Sequence, residues 1–314
     1  TTLLTTIRRI IEFAEQFQRG MTGIERFSEL MEAKIDIFDE EGAKPIQDVK
    51  GEVTFKNVSF EYPDDHTQVL SDINLTIKPG EKVGLIGRSG AGKSTLFNAI
   101  CGTFMVDKGN ILLDGEDITF KSEHARAKLI GRVFQDPMKG TAPNMTIEEN
   151  LALAYTRAGK KNSPFKRAIT KKQTAFFREN LARYNMGIED RMKTKIGLLS
   201  GGQRQVVTLL MCTLSIPKLL LLDEHTAALD PATAERVMEI TKEIVAENNI
   251  TTMMITHNLN QSLTTGNRTI MLDSGEIILD LSGEERDNMT MDDLIKMYSA
   301  KKQKAFDNDR ILLS

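Results

Sequence analysis

The chain has no tryptophan, four tyrosines and only two cysteines in 314 residues. Cys101 and Cys212 sit in apolar helical stretches with no CxxC or Cys/His spacing. That argues against a disulfide framework or a thiolate metal centre and points to reduced core thiols. Missing too is any apolar run near the ~20 residues that span a bilayer, and no signal peptide is visible. Neither sign of charge dominates: 41 Lys and Arg against 44 Asp and Glu leave a net charge of −3. No global basic field therefore exists to attract nucleic acid. Internal repeats and low-complexity tracts are absent. What remains, 40 % hydrophobic and 27 % charged, suits a cytoplasmic globular protein of one large or two moderate domains with a buried core.

Glycine, by contrast, is plentiful, and one cluster of it organises the chain. Gly87-Arg88-Ser89-Gly90-Ala91-Gly92-Lys93-Ser94-Thr95 follows the apolar run Val83-Gly84-Leu85-Ile86 and precedes Leu96-Phe97-Asn98-Ala99-Ile100. It reads as strand, glycine loop, helix, the context in which G-x-x-x-x-G-K-[ST] is a P-loop. Glycines let backbone N–H groups wrap a triphosphate, and the helix N-terminus adds a field that favours an anion. Lys93 is expected to reach the outer phosphates and Ser94 to offer its hydroxyl to Mg²⁺.

A second apolar run, Leu219 to Leu222, ends in Asp223-Glu224. Two carboxylates are thus placed at the C-terminal edge of a sheet, where doubly wound folds bind ligands. Asp223 is the expected Mg²⁺ acid, and Glu224 can polarise a water facing the γ-phosphate. Leu199-Ser200-Gly201-Gly202-Gln203 opens a helix with Ser200 as N-cap, and its glycines clear side chains from the outward N–H groups. A Ser-Gly-Gly start is also a common plain cap. Beside a P-loop and an acid pair, it raises a further arrangement: one nucleotide held between the P-loop of one subunit and this helix of another.

Residues 1–31 carry an amphipathic helical stripe, and Asp36 to Lys50 reads as a linker. Strands are expected over Glu52–Tyr62, Ile73–Ile77, the segment feeding the P-loop, Asn110–Leu113, Ile130–Phe134, Lys218–Leu222, Thr251–Ile255, Thr269–Leu272 and Glu276–Leu279. Helices are expected over Ile147–Tyr155, Lys171–Tyr184 and Gly201–Leu214. Two more should start at Asp230-Pro231 and, through a capping box, at Thr290. Thr156 to Lys172 holds seven basic residues and no acidic one, either a solvated loop or a docking surface. His66 and His124 read as exposed loop residues.

With LSGGQ at Leu199–Gln203, the chain resembles the ATP-binding domains of ABC transporters over about residues 50–282, seven motifs falling in that family's order. The resemblance implies an α/β fold: a P-loop NTPase (RecA-like) core, an antiparallel β subdomain and an inserted α-helical signature subdomain at about 138–200. The expected domains are an N-terminal helix and linker at 1–48, the ATP-binding domain at 49–282, and a C-terminal helix and tail at 283–314. ATP and Mg²⁺ are the implied cofactors. Tyr62 would stack on adenine, and Gly87 to Thr95 would form the Walker A loop, with Arg88, Ser89, Gly90, Ala91, Gly92, Lys93 and Ser94 between them. Gln135 matches the Q-loop glutamine, which senses Mg²⁺ and the γ-phosphate. Asp223 and Glu224 match the Walker B pair, and His257 the switch histidine. Ser200, Gly201, Gly202 and Gln203 are the signature. Asp230 closes a D-loop, Ala227-Ala228-Leu229-Asp230, in which Ala227 replaces the more usual serine. The implied metal set is Ser94, Gln135 and Asp223; the implied catalytic set is Glu224, His257 and Gln135. His225 receives no role.

Residues 1–85 resemble a fused ABC exporter, whereas residues 90–314 resemble a stand-alone importer ATPase. The acidic loop that exporters carry before the signature is replaced by Lys193-Thr194-Lys195-Ile196-Gly197. The function implied is an ATP-hydrolysing subunit that closes on ATP as a head-to-tail dimer and drives a membrane subunit, with a solute-binding protein as a further partner and no nucleic acid. It would lie at the cytoplasmic side of the cell membrane. The alternatives are a fragment of a fused exporter, a non-transport ABC ATPase and a nucleotide-gated adaptor.

Overall fold

The computed structural model describes residues 50–63, 66–157 and 169–300, which belong to one compact unit, Val49–Ser314. The expected helix at 1–31, most of the linker, the basic segment at 158–168 and the tail beyond 300 lie outside the described residues. The described strands are β1 (Val53–Glu61), β2 (Gln68–Ile77), β3 (Lys82–Gly87), β4 (Lys108–Leu113), β5 (Glu116–Asp117), β6 (Ile130–Val133), β7 (Leu219–Asp223), β8 (Thr251–Ile255), β9 (Arg268–Asp273) and β10 (Glu276–Ser282). They form two sheets, ordered β2-β1-β4-β5 and β10-β9-β3-β8-β7-β6.

The first sheet is antiparallel throughout. Along β1 the buried positions are Val53 and Phe55, then Val58 and Phe60, a switch from odd to even numbers that a regular strand cannot make. Register shifts after Phe55 against β2 and after Lys56 against β4 absorb it, with Asn57 at φ 52°. One irregularity thus keeps both halves of the apolar pattern on the core side. β2 begins at Gln68, earlier than the apolar run Ile73–Ile77, because β1 supplies a partner as far back as Glu61↔Gln68.

In the second sheet β9, β3, β8, β7 and β6 run parallel, and β10 closes one edge antiparallel. The unbroken leucines of β7 follow from burial on both faces. Leu219 and Leu221 join the core shared with β1, β2 and the Lys93–Cys101 helix, while Leu220 and Leu222 pack with the Gly201–Thr213 and Pro231–Glu247 helices. β8 divides the same way, Met253 and Ile255 to one side and Met254 to the other. The described helices of the inserted region are Ile147–Arg157, Lys171–Ala182 and two 3₁₀ turns before the signature helix. Thr290 and Asp293 form the expected reciprocal cap of a helix at 291–300. His124 is exposed, though on a four-residue helix instead of a loop. Cys101 and Cys212 are buried, and the Cys212 thiol donates to the Arg132 carbonyl at 3.2 Å. Among the described residues, no helix is long and apolar enough to cross a membrane.

One core residue makes stability depend on pH. His225 is buried, and burial pushes its pKa down from 6.5 to about 4. The unfolded chain then binds more protons than the folded one between those values, so the contribution is full above about pH 6.5 and is lost as pH falls towards 4. The loss is on the order of 3 kcal/mol at most. Unfolding followed across this range should show a steeper acid decline for wild type than for His225→Gln.

Candidate functional site

The parallel sheet gathers the site at its C-terminal edge. Registers Leu85↔Ile255, Asp223↔Ile255 and Val133↔Leu222 bring the ends of β3, β8, β7 and β6 level. The P-loop, His257, the Asp223-Glu224 pair and Gln135 therefore leave the sheet side by side.

The loop after β3 turns only because its glycines take left-handed conformations. Gly92 has φ 97°, and a Cβ there would stand 2.7 Å from the Val69 carbonyl oxygen. Gly90 has φ 81° with open space around the Cβ position, so there the backbone conformation alone calls for glycine. The Lys93–Cys101 helix follows directly. Lys93 is buried, and its ammonium donates to the carbonyls of Gly87 and Arg88, each at 2.9 Å. Burial lowers its pKa, countered by the charges of Glu224 and Asp223 across the site. Ala91 and Thr95 are buried, whereas Arg88, Ser89 and Ser94 are exposed.

Glu224 sits at φ 47°, a left-handed conformation that costs a non-glycine residue on the order of 1–3 kcal/mol. The turn aims its carboxylate at two partners: His257 Nε2 lies 2.6 Å from Oε1, and Gln135 Nε2 donates to Oε2 at 3.4 Å. These three expected residues thus form one cluster. Asp223 points elsewhere. Its Oδ2 accepts from Arg132 Nη2 at 2.9 Å, and Arg132 Nη1 donates to Asn98 on the P-loop helix at 2.7 Å. Arg132 also covers the Phe134 ring at 4.7 Å.

Tyr62 follows directly after β1, beside the P-loop helix, its hydroxyl 3.5 Å from Thr95 Oγ1. Phe60 meets its ring edge-on at 5.0 Å, and the residue is 37 % exposed, so the ring is braced yet accessible to an incoming base. Losing a base-stacking ring typically costs ~1–3 kcal/mol. Titration with a fluorescent ATP analogue should show Tyr62→Ala binding about 5-fold to 100-fold more weakly, and Tyr62→Phe binding like wild type.

The signature residues form a separate group. Ser200 and Gln203 make a reciprocal capping box at the start of the Gly201–Thr213 helix. The Gln203 amide also donates to the Met186 carbonyl at 3.0 Å. Gly201 is exposed, but Gly202 is buried, and a Cβ there would stand 2.1 Å from Thr233 Cγ2. Gly202 thus serves close helix packing as well as an open helix end. Asp230 caps the Pro231–Glu247 helix through the Thr233 N–H at 3.1 Å, and hydrogen bonding from the Thr233 side chain, then from its backbone, lowers the Asp230 pKa. These hydrogen bonds stay on the signature side and do not reach the P-loop cluster of the same chain.

Two contacts had no counterpart in the sequence reading. Arg132 ties Asp223 to the P-loop helix; its only sequence signal is the cation two residues before an aromatic at a strand end. Tyr298, on the helix at 291–300, lies under the Arg88 guanidinium at 5.5 Å, and its hydroxyl donates to Asp273 at 3.4 Å.

A P-loop, an acid pair and a polarised cluster on one edge of a parallel sheet, with a separate LSGGQ helix start, define an ABC ATPase. The comparisons agree. The chain belongs to the ABC transporter family, whose ATP-binding region it matches over residues 70–227. It is 42 % identical over 246 residues to a tyrosine transport ATP-binding protein of Clostridioides difficile, spanning 77 % of this chain and 97 % of that protein. It is 35 % identical to the uncharacterized ABC transporter ATP-binding protein YwjA of Bacillus subtilis and 29 % identical to the exotoxin translocation ATP-binding protein PaxB of Pasteurella aerogenes. It spans only 43 % and 37 % of those two longer proteins. Among solved structures, the dimeric ATP-binding cassette MJ0796, in a post-hydrolysis state with ADP and Pi, matches with a TM-score of 0.62 at 29 % identity, covering 73 % of this chain and 98 % of that one. The chain is an ATP-binding, ATP-hydrolysing subunit of the ABC transporter class.

Proposed function

We propose that this chain works as a head-to-tail homodimer that closes on two ATP molecules and drives a partner membrane subunit from the cytoplasmic side of the membrane. The observation that carries the reading is that Lys93, Asp223 and the Glu224–Gln135–His257 cluster all lie at one sheet edge, while the capped Ser200 helix start lies in a separate group. That division supports a site completed by the signature of a second copy. Tyr62 stacks on adenine, and the P-loop N–H groups with Lys93 hold the phosphates. Asp223, Ser94 and Gln135 offer a carboxylate, a hydroxyl and an amide, the hard oxygen donors that suit Mg²⁺, an ion that takes few protein ligands beside phosphates and water. When bound, Mg²⁺ would neutralise charge developing on the transferred phosphoryl group. Glu224 takes the proton of the attacking water, His257 orients the Glu224 carboxylate and reaches the γ-phosphate, and Gln135 holds the other carboxylate oxygen.

The tyrosine named as cargo of the Clostridioides difficile relative, together with the near end-to-end coverage of that protein, favours a system for a small solute, with a solute-binding protein as a further partner. A second reading, the ATPase part of a fused exporter, is favoured by the partial coverage of the two longer relatives. The test of the dimer is sedimentation of Glu224→Gln with ATP and Mg²⁺. The expected result is a doubling of mass that Ser200→Arg, in the same background, abolishes without loss of ATP binding. A strictly monomeric chain under these conditions, even beside its membrane subunit, overturns the reading.

A further inference from the structure

We propose that His225, the residue after the hydrolytic glutamate, is a positioning residue for ATP hydrolysis: it anchors the turn that aims the Glu224 carboxylate. The inference rests on the reading of Glu224 as the base. His225 is 2 % exposed, and its Nε2 lies 3.1 Å from the Thr241 hydroxyl oxygen. The direction of that bond follows from the next one. Thr241 donates its single hydroxyl hydrogen to the Val237 carbonyl at 2.8 Å, so its oxygen accepts, and His225 must carry its proton on Nε2. Val237 and Thr241 belong to the Pro231–Glu247 helix, which is pinned in the core by Val237, Ile240, Ile244 and Val245. The ring therefore ties the turn to a rigid element outside the nucleotide site.

The turn has need of such a tie. Glu224 holds φ 47°, its N–H donating to the Ile255 carbonyl at 3.1 Å and its carbonyl accepting from the Ala227 N–H at 2.9 Å, so its backbone groups are satisfied but nothing in those two bonds fixes the side chain. A glutamate has no intrinsic preference for that conformation, so neighbouring contacts must maintain it. The carboxylate must meanwhile meet His257 at 2.6 Å and Gln135 at 3.4 Å. Small misplacements of a reacting group are costly in rate but leave substrate binding, which here depends on other residues, unchanged.

The experiment compares steady-state ATP hydrolysis by the full chain carrying Thr241→Val, which removes the acceptor at nearly constant shape, and Thr241→Ser, which keeps it. Thr241→Val is expected to lower kcat by about 10-fold with KM for ATP within about 2-fold, and Thr241→Ser to restore the wild-type rate. A wild-type kcat in Thr241→Val, an equal fall in both variants, or a change confined to KM overturns the proposal. Should Thr241→Val not fold, His225→Gln, which places an amide donor near the Nε2 position, is compared with His225→Phe, which keeps a ring without a donor. A higher kcat for Gln supports the proposal, and an equal or higher kcat for Phe overturns it. Glu224→Gln measured alongside separates the two claims. Hydrolysis surviving there removes the base assignment itself, whereas its loss there with an unaffected Thr241→Val removes only the role of His225.

Discussion

Glu224→Gln is expected to abolish ATP turnover while ATP still binds. The substitution keeps the size of the side chain and one hydrogen-bond acceptor, but an amide cannot take the proton of the attacking water. General-base catalysis typically contributes about 100-fold to 10⁴-fold, so the residual rate should be no more than about one hundredth of wild type. The structure also predicts where the effect stops. Among the described residues, the Glu224 carboxylate is held by His257 and Gln135, and not by hydrogen bonds from Lys93, the Gly87–Thr95 loop or Tyr62. Nucleotide affinity should therefore stay within about 3-fold of wild type, since only the electrostatic contribution of one carboxylate changes. Phosphate release measured beside equilibrium ATP binding checks both halves. Undiminished hydrolysis removes Glu224 as the base; loss of binding as well as rate would place the residue in substrate capture instead.

The features that set up this test differ in how far they could be read from the residues. The P-loop and the strand-end acids are local patterns: their chemistry depends on a strand, a turn and a helix start within about ten residues, and each is written contiguously. Ser200, Asp230 and Thr290 were legible as caps for the same reason. The left-handed turn at Glu224 was not, because nothing in a glutamate favours φ 47° and the contacts that maintain it come from β8 and the Pro231–Glu247 helix. Arg132 reads as one more strand residue until β6 lies against β7 and brings its guanidinium to Asp223. Gly202 reads as an opening for backbone N–H groups, yet Thr233 occupies the space beside it. The early start of β2 has the same origin, since Gln68 becomes strand only because Glu61 is there to pair with it. What escaped the sequence is in each case a long-range pairing, for which local propensity carries no term.

Lys93 offers the other large effect, and its sign is opposite for stability and for binding. Its ammonium is buried, its pKa is lowered by that burial, and only two loop carbonyls, of Gly87 and Arg88, receive its hydrogen bonds. Desolvating a charge is unfavourable unless it is well paired, and alanine is the better helix former at the first helical position. Without nucleotide, Lys93→Ala should therefore unfold at the same temperature as wild type or a higher one. With ATP the balance should reverse if, as proposed, the buried Lys93 ammonium pairs with the outer phosphates. Truncating one partner of a buried charge pair costs at least ~2 kcal/mol, about 30-fold in Kd. Ligand-induced stabilisation grows with the logarithm of ligand concentration over Kd. The rise in Tm that ATP and Mg²⁺ give wild type should accordingly shrink or vanish in Lys93→Ala, although its starting Tm is no lower. A nucleotide-free Tm well below wild type would mean that Lys93 supports the loop structurally. An unaltered ATP-induced shift would remove it from the phosphate site.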